Sequence, residues 1–139
     1  MIFGLINFTI LTAISAIHVY WAFGGKWGAA AALPELGGQK VLKPDIFSTL
    51  IVAAGLGAMA VLHLHKIGLF VLPLPNWVDS KGLWVITAIF FIRAIGDFRY
   101  VGFFKKVKKS LFASLDTKYY SPLCLIISLN ALLTSINDF

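Results

Sequence analysis

The sequence predicts an all-α, integral membrane four-helix bundle with up-down connections and both termini on the extracytoplasmic side. Three observations carry this expectation. Of 139 residues, 59% are hydrophobic. Only 13% are charged, about half the fraction found in a soluble domain. The apolar residues gather into four stretches whose connecting loops differ sharply in charge.

A membrane-spanning helix needs about 20 residues, with a lower limit near 17. Residues 2–23, 46–65 and 82–101 meet this. The fourth stretch, near 122–137, is short, but residues 137–139 bring it within range. With only three spans, residues 123–133 would be an apolar strip with nothing to cover it. The chain is therefore read as one transmembrane domain over residues 1–139. The first span has no basic segment before it and its apolar run is too long for a signal peptide, so it is expected to be retained. Asp45, following Pro44, is a natural N-cap for span two. Asp79 or Ser80 would cap span three, and Ser121 before Pro122 would cap span four. Span two is rich in small residues (Ala53, Ala54, Gly55, Gly57, Ala58, Ala60), which permit close helix approach in lipid. The loop between spans one and two is rich in glycine, and its 29–33 stretch reads as a short helix. The loop at 68–79 carries Pro73, Pro75 and Trp77 and is expected at the outer interface, with Trp77 in the aromatic belt. Cys124 is the sole cysteine, which excludes an internal disulfide and a CxxC pair.

The net charge is +6, and its distribution sets the orientation. Lys26, Lys40 and Lys43 lie in the first loop. Arg99, Lys105, Lys106, Lys108, Lys109 and Lys118 lie in or beside the third. The middle loop holds only Lys66 and Lys81. The positive-inside rule then places the first and third loops in the cytoplasm. Lys105, Lys106, Lys108 and Lys109 alternate with Phe104, Val107 and Leu111 at helical spacing. This basic amphipathic extension is expected to meet anionic lipid rather than nucleic acid.

Arg93 and Asp97 are the charges that a bilayer penalises most. At a spacing of four, both would lie on one face of span three, and an ionisable residue within a span marks a functional site by default. Counting 1.5 Å per residue from the outer face places Arg93 at ~16 Å, Asp97 at ~22 Å, Thr12 at ~15 Å and His18 at ~24 Å. Asn130 comes to ~18 Å by the same arithmetic. Arg93, Asn130 and Thr12 are thus expected at the midplane, with Asp97 and His18 nearer the cytoplasm. In span one, Thr9, Thr12, Ser15 and His18 form a polar ribbon. In span four, Asn130, Thr134 and Asn137 form one stripe and Ser121, Cys124 and Ser128 another. Only one stripe is expected to face the bundle centre, and the Asn130 stripe is chosen because an amide is costlier to expose to lipid.

The outcome is a polar pocket between spans one, three and four, open to the cytoplasm. Arg93 would hold an anion through its planar fork of donors, with Asn130, Tyr120, Trp21 and Thr12 around it. In a catalytic version, Asp97 and His18 would exchange protons, as in a membrane isomerase. In the plainer version, Arg93 and Asp97 neutralise each other and His18 is an interfacial histidine beside Tyr20 and Trp21. His63 and His65 lie at the opposite depth from His18 and point to different sides of their helix. Neither a metal site nor a haem is expected, and no cofactor.

The segments HVYWAFGGKWG (residues 18–28), RAIGDFRYVGFFKK (93–106) and SPLCL (121–125) resemble a domain-of-unknown-function family of small four-span bacterial membrane proteins. The resemblance implies the bacterial inner membrane as location and brings no activity or cofactor with it. Its motifs fall on His18, Trp21, Arg93, Asp97 and Tyr120. The leading expectation is a small membrane protein binding a lipid-like or small anionic ligand. Its rivals are a small oligomeric transporter that dimerises through span two, and a non-catalytic accessory protein.

Overall fold

Four helices run alternately up and down in a computed structural model of the protein, which describes residues 1–27, 45–96, 102 and 114–137, together with the backbone at 35–36 and 39–40. Helix α1 is Ile2–Ala22, α2 is Ile46–Lys66 and α3 is Asn76–Ile95. A π-helical turn, Asp116–Tyr120, runs directly into α4, Ser121–Ile136. In the first loop, β1 (Glu35–Leu36) pairs antiparallel with β2 (Gln39–Lys40). Residues 29–33, expected as a short helix, lie outside the described residues.

Contacts between helices fix the directions. Ser15 Oγ donates to the Ala53 carbonyl and Asn7 meets His63, so α1 and α2 are antiparallel. Ser128 Oγ donates to the Thr87 carbonyl and Arg93 meets Asp116, so α3 and α4 are antiparallel too. Lys66 binds Asp79 across the short second loop. The α1–α2 and α3–α4 pairs are closely packed, whereas α2 and α3 touch only sparsely.

The surface is apolar and much of the interior is polar. Ile51, Val52, Phe47, Trp84, Val85, Phe91, Ile92, Ile126 and Leu129 are exposed, while Asn7, Thr49, His63, Asp116, Ser121, Ser128, Asn130 and Thr134 are buried. Water would penalise this arrangement, and lipid favours it. Three helices, Ile2–Ala22, Ile46–Lys66 and Asp116–Ile136, are long and apolar enough to cross a membrane. Each has 21 residues, or ~31 Å at 1.5 Å per residue, against a hydrocarbon core of ~30 Å. Helix α3 is less apolar because it carries Asp79, Lys81 and Arg93. Between the polar ends, Leu11, Ala60, Leu83, Ile86, Phe90, Ile127 and Ala131 form an apolar middle layer. Lipid tails are as apolar as these side chains, so the layer holds by close packing rather than by exclusion of water.

Helix ends differ from expectation in three places. Asp45 caps α2 as read, its Oδ1 accepting from the Ser48 N–H at 2.7 Å. Helix α3, however, starts at Asn76 behind Pro75 and has no side-chain cap. It stops at Ile95, where Gly96 takes φ 90°, so Arg93 lies in its last turn rather than midway along residues 82–101. Ser121 does not cap α4 either. The helix already exists before it, and the Ser121 N–H bonds the Asp116 carbonyl five residues back. Pro122 explains the wider turn. It has no N–H to donate, and its ring would collide with the carbonyl four residues earlier in a regular α-helix.

Candidate functional site

Buried polar groups form two clusters at opposite ends of the bundle. The first lies at the end of the second loop and joins three helices. Asn7 sits ~8 Å along α1 and His63 ~5 Å from the end of α2. His63 Nδ1 lies 2.8 Å from the Met59 carbonyl, which can only accept, so Nδ1 carries the proton. Nε2 is then an acceptor, and Asn7 Nδ2 donates to it at 3.1 Å. The same Nδ2 donates to the Ile127 carbonyl at 2.8 Å, which fixes the orientation of the amide. Asn7 Oδ1 accepts from Asn130 Nδ2 at 3.2 Å. His63 and Asn7 are fully buried, and their donors and acceptors are matched.

The second cluster lies at the opposite end, where α3 stops and α4 begins. Asp116 is fully buried. Its Oδ1 accepts from Arg93 Nη2 and from Ser121 Oγ, each at 3.1 Å. Its Oδ2 accepts from the Gly102 N–H at 2.6 Å. Gly102 has φ +90°, and a Cβ there would collide with the Ile95 carbonyl. The glycine therefore lets the chain lie against the end of α3 and aim an N–H at the carboxylate. Arg93 Nη1 is buried and has no hydrogen-bond partner among the described residues, although the Arg93 side chain as a whole is 32% exposed. Cys124, one turn after Ser121, is half-buried.

The expected pocket residues separate between these clusters. Arg93 keeps an acidic partner, but it is Asp116. The helix ends two residues before Asp97, so the two cannot share a helix face at i, i+4, and Asp97 lies outside the described residues. Asn130 is inside as read, but ~14 Å along α4 from Ser121, at the Asn7 end rather than beside Arg93. Thr12 is exposed, on the outer side of α1, because Gly4, Asn7 and Leu11 mark the inward face. His18 Nδ1 bonds the Ile14 carbonyl of its own helix, and its ring packs edge-on against Trp21 at 5.0 Å. Trp21 Nε1 donates to the Trp27 carbonyl. Both sit at the Arg93 end of the bundle. Tyr120 is partly buried at the close of the π turn, next to Ser121.

The family model described as "Protein of unknown function (DUF3995)" matches residues 11–131. The chain belongs to the DUF3995 family. No curated protein and no solved structure matches it. The DUF3995 match spans Arg93, Asp116, Ser121, His63 and Asn130, and Asn7 lies before it. With its apolar helices, this DUF3995 chain is a small membrane protein whose interior carries two ordered polar clusters.

The sequence does not reveal that Asn7 pairs with His63, or that Asp116 joins Ser121 to Arg93. A signal existed for Asn7, the one amide in α1. None existed for Asp116, which sits in a basic stretch and reads as a loop residue.

Proposed function

We propose that the protein is a four-span protein of the bacterial inner membrane that holds an anionic group against Arg93 at its cytoplasmic end. In this reading α3 is the fourth crossing, and the lysine-rich first and third loops face the cytoplasm. The observation that carries the proposal is the buried Nη1 of Arg93, which has no acceptor among the described residues. Asp116 occupies the other nitrogen, Nη2. A guanidinium offers five donors in a rigid fork and retains its charge in lipid. A buried donor without an acceptor is costly, and a carboxylate or phosphate oxygen at Nη1 removes that cost. Tyr120 and Ser121 border the same end, and a lipid head group or a small organic anion has the right chemistry.

The saturated carboxylate of Asp116 favours a second reading, in which Arg93 is a clasp between α3 and α4 and the protein is a non-catalytic accessory. One experiment separates the two. An R93Q/D116N variant keeps a neutral hydrogen-bonding pair and removes both charges. Protein purified in mild detergent is analysed by native mass spectrometry for co-purifying anions. Ligand binding requires wild type to retain a species that the folded variant loses. If the variant folds and keeps everything that wild type carries, only the clasp remains.

A further inference from the structure

Helices α2 and α3 splay apart and leave an apolar groove of about 590 Å³ between them. Its floor on α2 is made by Gly55, Gly57 and Ala58, and its walls on α3 by Val85 and Ile89. Lys81 and Trp77 stand at its mouth. We propose that this groove binds one acyl chain of an anionic phospholipid in the outer leaflet, with Lys81 contacting the phosphate. The site is separate from the Arg93 cluster and lies at the other end of α3.

Three features select this occupant. The first is length. Along α3 the lining runs from Trp77 to Ile89, twelve residues or ~18 Å, which matches one leaflet of ~15 Å together with its head-group fringe. A transmembrane helix from a second copy would need a groove through the whole ~30 Å core. The second is charge. Asp79 is already engaged by Lys66 and His65, whereas Lys81 has no acidic partner among the described residues. A lysine on this flank extends its ammonium to the head-group level while its stem lies along the apolar wall. The third is width. A Cβ built at Gly55 meets nothing within 4 Å, so the backbone of α2 itself faces open space that a methylene chain fills. Trp77 is exposed beside Lys81, where an indole anchors at the head-group level.

The test uses the full chain in nanodiscs of equal parts phosphatidylglycerol and phosphatidylcholine, with retained lipid counted by native mass spectrometry after mild detergent transfer. Wild type should retain phosphatidylglycerol about fivefold over phosphatidylcholine, the preference one basic side chain gives near an anionic surface. Lys81→Gln should lose the preference but still retain lipid. Gly55→Leu fills the groove, strengthens the helix and should lose the bound lipid of both kinds. The proposal is overturned if Gly55→Leu, with wild-type helical content, retains as much lipid as wild type, or if wild type shows no preference. A Gly55→Leu variant that instead changes the oligomeric mass shows the groove to be a contact with a second copy, and also overturns it.

Discussion

Replacing Asp116 by Asn is the most direct probe of how the Arg93 end is held. The amide keeps Oδ1, so Arg93 Nη2 and Ser121 Oγ can still donate to it. Its Nδ2, however, now faces the Gly102 N–H across 2.6 Å, donor against donor. It also leaves the guanidinium without its counter-charge. Breaking a buried pair by removing one partner costs about 3–5 kcal/mol. The lower figure of about 3 kcal/mol applies, because the Arg93 side chain is 32% exposed and partly screened. For a chain of this size that loss lowers the melting temperature by roughly 10 °C. The assay is built in. Cys124 is the only cysteine and is half-buried in α4, so a thiol-reactive dye reports opening of the helix on heating in detergent. Arg93→Gln and the R93Q/D116N pair complete a double-mutant cycle. The charge-pair account requires the double mutant to be more stable than the sum of the single losses. A D116N melting point within about 2 °C of wild type, or strict additivity in the cycle, refutes it.

Further outcomes follow from the other clusters. Asn7→Leu removes three hydrogen bonds from the buried His63 network and should cost about 2 kcal/mol, since each such bond within a bilayer averages ~0.6 kcal/mol and reaches ~1.7. The dye assay reads it as a fall of several degrees, and a melting temperature equal to wild type would count against the network. Gly102→Ala puts a side chain at φ +90° against the Ile95 carbonyl and should cost roughly 1–3 kcal/mol, measured the same way. Lys66 and His65 both contact the exposed Asp79 carboxylate. Asp79→Asn should leave the melting temperature almost unchanged, because an exposed ion pair contributes little, and a large fall would count against that reading.

Helix count and helix class were legible because a bilayer enforces them, whereas the buried faces were legible only in part, Asn130 lying inside and Thr12 outside. A run of apolar residues with no water to satisfy its backbone must be helical, and the N-cap at Asp45 follows from its side-chain chemistry. The register of α3 was not legible. Its apolar run continues past Ile95 in composition, and only the backbone at Gly96 turns it aside. That six-residue difference moves Arg93 by ~9 Å along the helix, away from Asn130. In α4 both polar stripes are inside, since Ser128 reaches α3 and Asn130 reaches α1. A helix with two neighbours in a bundle buries a wider face than a single stripe implies.

The sequence by itself determined that the protein is a membrane-embedded helical bundle, that Arg93 needs an anionic partner, and that the amide of Asn130 faces inward. These follow from the cost of moving single groups between water and lipid, which depends on residue type alone. Only the tertiary structure decided who meets whom. Asp116 reaches Arg93 from 23 residues away, and Asn130 reaches Asn7 across 123. Such partners are chosen by where helices stop and how they stack, and no local pattern records that.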